Sequence, residues 1–149
     1  MVVGRWPLSP EWRRRVTRAY LRRIAASGKP ILVGPWRSEV GFEGLYWLPF
    51  LRWAVKTYGI DPKRLVAVTR GGAALLYGCP SVDLYRLRSV ECVRLENQYD
   101  WQQSKLQKQM RPTTWDRDVL KEAAAHVLGR GERYHVLHPS WMYWALEPF

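Results

Sequence analysis

Residues 31–72 read ILVGPWRSEVGFEGLYWLPFLRWAVKTYGIDPKRLVAVTRGG, and this stretch limits the chain to few folds. Ile31-Leu32-Val33 and Arg64-Leu65-Val66-Ala67-Val68-Thr69 are short apolar runs of the kind that form buried strands. Between them Phe42, Leu45, Tyr46, Pro49, Trp53 and Val55 recur at helical spacing. Strand, helix and strand in such close succession make a βαβ unit, whose crossover sets the two strands parallel. In open parallel sheets ligands sit outside the carboxyl ends of the strands. The glycine-bearing loops 34–41 and 70–72 leave the sheet at that edge, so candidate site residues are sought there first.

The flanking chain extends the same pattern. Ser9-Pro10-Glu11 is a helix start, with Ser9 at N-cap and Pro10 at N1. Trp12, Val16, Ala19, Tyr20 and Ile24 form an apolar stripe on that helix, Arg14, Arg18 and Arg22 an opposite basic one, and Gly28 its end. The helix after the first strand is apolar nearly all round, which predicts cover on most of its surface, and Pro49 should kink it or displace its start. Residues 82–87 alternate as an exposed strand, 89–109 form a polar segment anchored weakly by Val90, Val93, Leu95 and Trp101, and Thr113-Thr114 opens a helix ending at Gly129. Residues 134–138 are a fourth strand, followed by the loop Pro139-Ser140.

These elements predict a three-layer, Rossmann-like α/β domain over 30–149, with a mainly parallel sheet of about four strands. A basic amphipathic helix within 1–29 precedes it. Strands near 31–35, 64–69 and 134–138 should be central and 82–87 nearer an edge, with Val33, Leu45, Val66, Val68 and Val136 almost fully buried. The 149 residues suffice for one such domain.

Charge is distributed unevenly. Of a net +11, eight basic residues lie in the first 29 positions, opposed there only by Glu11. A phosphate-rich partner such as nucleic acid, or an anionic membrane surface, is the candidate for Arg14, Arg18 and Arg22. Nine Trp and eight Tyr against three Phe suit either an aromatic core or a contact surface. Cys79 and Cys92 have neither zinc nor disulfide-framework spacing. With no signal peptide and no membrane-length apolar run, the expected location is cytoplasmic, with a peripheral place at the inner membrane face as the alternative. The terminal run Trp141-Met142-Tyr143-Trp144 through Phe149 reads as an exposed apolar patch, left by truncation or meant for a second copy or a partner chain.

Several constellations carry candidate chemistry. Ser38-Glu39-Val40-Gly41-Phe42-Glu43 lies where the first strand hands over to its helix; Glu39 and Glu43, four apart, share a face and suit a general base toward a hydroxyl, or simply complement the helix dipole. Arg70-Gly71-Gly72 suits a phosphate or carboxylate, or a plain turn. His138 ends the fourth strand as a ligand contact or a loop cap. Asp116-Arg117-Asp118 has the spacing of a metal-holding DxD motif, but acids belong in a helix's first turn anyway, so no metal site is assigned. Residues 102–109 are polar and basic beside Tyr99 and Trp101, as a solvated helix face or a nucleic-acid contact.

Taken together, GPWRSEVGFEGLYWLPFLRW, RLVAVTRGGAALLYG, the Lys108-Gln109 segment and VLHPSWMY resemble the amino-terminal lobe of a bacterial GT-B-type glycosyltransferase-like family. The resemblance spans roughly residues 30–149. It implies an acceptor-holding lobe that transfers a sugar from a nucleotide-sugar to a hydroxyl acceptor when a donor-binding lobe completes it, usually without a metal and with no further cofactor. It maps Glu39 or Glu43 to the catalytic base, and Ser38, Gly41, Arg70, Gly71 and His138 to substrate-binding loops. No second lobe follows Phe149, so the isolated chain is expected to be inactive. The alternative reading is a small basic α/β binding module.

Overall fold

The computed structural model describes residues 9–105 and 109–146, apart from the side chain of Ser104. Helix α1 (Pro10–Ala26) starts as its sequence requires: the Ser9 side chain accepts from the Trp12 amide at 3.2 Å. At its other end Arg64 donates to the carbonyls of Ile24, Ala25 and Lys29 at 2.6, 3.1 and 2.9 Å. A side chain forty residues downstream thus satisfies acceptors that a helix end leaves open. The face that α1 buries is Arg13, Thr17, Leu21 and Ile24, while Trp12 and Ala19 are exposed. The buried face is therefore rotated from the expected stripe, while Tyr20 packs against the core and hydrogen-bonds the Val136 carbonyl at 2.6 Å.

Strand β1 (Ile31–Val33) leads through a loop to a short helix α2 (Val40–Phe42), a π-helix (Glu43–Trp47) and α3 (Leu48–Tyr58). The backbone is helical without a break from Val40 to Tyr58, so Pro49 neither ends the helix nor moves its start; it sits two residues after the π-helix, whose looser turn precedes the ring. The wider π-turn also shifts the phase of the helix surface. Glu43, Trp47, Phe50, Leu51 and Ala54 point inward, and Leu45, expected in the core, is 72% exposed. Gly59 stops α3 in the left-handed region at φ 63°.

Strand β2 (Leu65–Thr69) is followed by a 3-10 helix (Gly71–Leu76), β3 (Ser81–Asp83) and α4 (Leu84–Leu87). The strand expected over 82–87 ends at Asp83, whose carboxylate accepts from the Tyr85 amide at 2.9 Å and caps a helix instead. Helices α5 (Val90–Ser104) and α6 (Thr114–Val127), strand β4 (His135–Leu137) and α7 (Ser140–Ala145) complete the described chain.

The sheet is parallel throughout, in the order β3-β2-β1-β4, with Leu32 beside Val66 on one side and Val136 on the other. Strand β4 is therefore an edge strand and not a central one, and Val136 is only half-buried. Side chains alternate across the sheet as strand geometry demands. Ile31, Val33, Leu65 and Leu137 pack with α1, α3 and α7; Leu32, Val66 and Val68 pack with α4, α5 and α6. This is a three-layer, Rossmann-like α/β architecture with the basic helix set against one face.

The terminal aromatics are also drawn in. Met142 is fully buried, Trp141 stacks on Tyr20 at 4.3 Å, and Trp144 lies 6.2 Å from Trp12. Helix α1 covers the surface that the sequence suggested was bare; Phe149 lies outside the described residues. Among those residues no helix is long and apolar enough to cross a membrane.

Candidate functional site

The chain leaves β1 toward β2 and β3 on one side and returns to β4 on the other, so the strand order reverses at β1, and in open parallel sheets the loops at such carboxyl ends are where a ligand is sought. Two backbone bonds pin the loop that follows β1. The Gly34 amide donates to Leu137 O and the Trp36 amide to Val68 O, both at 3.0 Å, tying the loop to β4 and β2. Gly34 has φ 125°, and a Cβ there would sit 2.4 Å from the Val68 carbonyl oxygen. Only glycine fits both constraints. The Gly34-Pro35 bond is cis.

From this anchor the loop sends its side chains in opposite directions. Arg37 turns into the protein and is wholly enclosed. Its Nε donates to Asp116 at 2.9 Å, Nη2 to Asp100 at 2.8 Å and Nη1 to Asn97 at 2.7 Å. Gln109 accepts from the Arg37 amide at 3.0 Å and donates to the Pro35 carbonyl, so the end of the polar segment clamps the loop. Gln109 is fully buried, whereas Gln102 and Gln103 are exposed and 106–108 lie outside the described residues. Burial alone would raise the Asp116 carboxyl, but His138 and Arg37 hold it well below the usual range. Asp118 is exposed, so the two aspartates of the DxD spacing do not converge.

His138 was a sequence candidate, and it is buried in this network. Its Nδ1 accepts from the Ser140 amide at 3.0 Å and lies 2.9 Å from the Ser140 hydroxyl, while Nε2 faces Asp116 at 3.4 Å. The Nε2 contact is too poorly aligned for a hydrogen bond. The ring thus ties the β4 loop to α6.

Ser38 and Glu39 follow Arg37 in the β1 loop. The buried Ser38 hydroxyl donates to Glu39 Oε2 at 2.6 Å, and the Glu39 side chain is exposed. Tyr143 on α7 has a buried hydroxyl with no hydrogen-bond partner among the described residues. Burial first, and then the Glu39 charge, push that phenol up to about 12.

Glu43 has a different fate from Glu39. It is fully enclosed at the start of the π-helix, where Thr69 and Tyr77 hydroxyls donate to Oε1 at 2.7 and 2.6 Å and Arg70 approaches Oε2 at 3.4 Å. Burial and the Glu43 carboxylate raise the Tyr77 phenol far above its ordinary value. Arg70 is thereby drawn toward Glu43, and the Gly71 amide donates to Asp83 at 2.9 Å. Gly41 is exposed, with nothing within 4 Å of where a Cβ would be. The structure therefore sets Ser38 and Glu39 side by side in the β1 loop, buries His138 at the end of β4, and engages Glu43, Arg70 and Gly71 in holding the β1 and β2 loops.

Arg37, Asp100, Gln109, Asp116, Thr69 and Tyr77 were not read from the sequence as one assembly. Asp116 was visible as a helix-start acid, and it does form the capping box with Thr113. Its second partner, Arg37, lies 79 positions away. Fold and loops define a Rossmann-like α/β protein with an exposed carboxylate at the switch point of its sheet. Comparison with protein-family models, curated proteins and solved structures finds no match to the chain.

Proposed function

We propose that the chain is the acceptor-side lobe of a glycosyltransferase-like protein, with Glu39 as the general base. The observation that supports this reading is the exposed Glu39 carboxylate, oriented by Ser38 at the carboxyl ends of β1 and β4. In the reaction the acceptor oxygen attacks the anomeric carbon, the bond from that carbon to the nucleotide's phosphate oxygen breaks, and Glu39 takes the hydroxyl proton. Glu43 has a supporting part, keeping Thr69, Arg70 and Tyr77 in place behind the loop. The nucleotide-sugar requires a donor-binding lobe.

Amide NMR during titration with a panel of methyl glycosides tests the proposal. The expected result is shifts confined to Ser38–Gly41 and the His138–Ser140 loop for at least one glycoside. Shifts elsewhere only, or none, would overturn it. A second reading, a basic module for phosphate-rich partners, is supported by the exposure of Arg18 and Arg22 along one face of α1. Such a module would place the protein at an anionic surface, including the inner face of a membrane.

A further inference from the structure

The phase shift at the π-turn has a consequence on the outer surface. Leu45, Pro49 and Trp53 fall at i, i+4 and i+8, so they form one continuous line, and all three are exposed, Leu45 at 72% and Trp53 at 41%. Opposite them on α1 runs a second line at the same spacing, Arg14, Arg18 and Arg22, with Arg18 and Arg22 exposed and Arg14 half-buried. Between the apolar line and Arg14 and Arg18 lies a groove of about 620 Å³, floored by Tyr46 and Phe50 and reaching Leu146 beyond α7, with Arg22 outside its lining. Neither Ser38, Glu39 nor His138 lines it. Its volume is in the range of small-molecule sites.

An apolar wall facing a cationic one selects a ligand with the same division. We infer that this groove takes an anionic phospholipid from a membrane surface, the acyl chain along Leu45, Pro49 and Trp53 and the phosphate at Arg18, with Arg14 beside it. Guanidinium groups hold phosphate oxygens in pairs, and a tryptophan at the rim suits the boundary between headgroup and chain. Exposed apolar surface rimmed by charge marks a contact site. A single-stranded nucleic acid fits less well, because it needs successive rings for its bases and the exposed line has only one, Trp53. With no membrane-crossing helix among the described residues, the contact is peripheral. The inference does not rest on Glu39 acting as a base: vesicle binding and glycoside shifts at Ser38–Gly41 fail independently.

The test is sedimentation of the full chain with vesicles of phosphatidylcholine alone, or with phosphatidylglycerol added, at about 0.15 M ionic strength. Binding should require the anionic lipid, fall roughly thirtyfold in Arg14→Gln/Arg18→Gln, and fall at least as far in Leu45→Ser/Trp53→Ser. Acyl-chain-brominated phosphatidylglycerol should quench the tryptophan fluorescence of the unmodified chain, a readout that needs no substitution. Binding that survives Leu45→Ser/Trp53→Ser without quenching would show adsorption by charge only and overturn the groove. Absence of vesicle binding would also overturn it, as would equal displacement by an oligothymidine at matched phosphate concentration.

Discussion

Arg37 is a guanidinium with no water left to it: two carboxylates and a side-chain amide take its donors, and its own backbone is gripped by Gln109 and Asn97. Removing one partner of such a buried set leaves the other charge uncompensated, which costs about 3–5 kcal/mol. Asp116→Asn is expected to lose that much by urea unfolding at neutral pH. The pH dependence follows from the direction of the shift. Asp116 is held below its unfolded value, so its contribution is complete above about pH 4 and is lost as pH falls below it. The gap between wild type and Asp116→Asn should close under acid. Curves that stay parallel from neutral pH into acid would show that the network stabilises nothing through ionisation. The residue types were legible in the sequence, but their association was not. Arg37, Asp100, Gln109 and Asp116 come from three separate segments, and no spacing rule links positions that meet only when β1 docks against α5 and α6.

At the scale of elements, the π-turn decides which side of the first crossover is core. A proline inside an apolar helical run signals a kink or a displaced start; the run instead continues from Val40 to Tyr58 with a π-turn ahead of the proline. Which face turns inward is decided in three dimensions, where Glu43 meets Thr69 and Tyr77. Glu43→Gln keeps an oxygen for both hydroxyls and should melt only slightly lower. Glu43→Leu leaves two buried hydroxyls unpaired and should cost about 1–3 kcal/mol for each. Thermal denaturation of the two variants checks the order. Equal losses would mean that the Arg70 pairing, not the hydroxyl bonds, holds the turn. The same logic explains β3: its alternating pattern was real, but Asp83 caps the next helix, and a local side-chain bond overrides periodicity.

The whole molecule shares its core between the basic helix and the sheet. Leu21 and Ile24 are fully buried in one cluster with Ile31, Trp47 and Met142, and Arg64 closes the end of α1. Ile24→Ala should therefore cost about 2–5 kcal/mol, with helical signal and tryptophan fluorescence lost in one coincident transition. A helix that melts first would show that α1 is an appendage. What the sequence by itself determined is the alternation of strands and helices, the helix starts at Ser9 and Thr113 and the loops that carry Ser38 and Glu39. These are consequences of nearest-neighbour sterics, backbone hydrogen-bonding needs and apolar period, all local quantities. The tertiary structure alone decided that β4 lies at an edge, that α1 covers the terminal aromatics, and that Glu43 is enclosed while Glu39 is exposed. Those outcomes depend on which distant surfaces exclude water from one another, and burial of that kind has no signature in the spacing of residues along a chain.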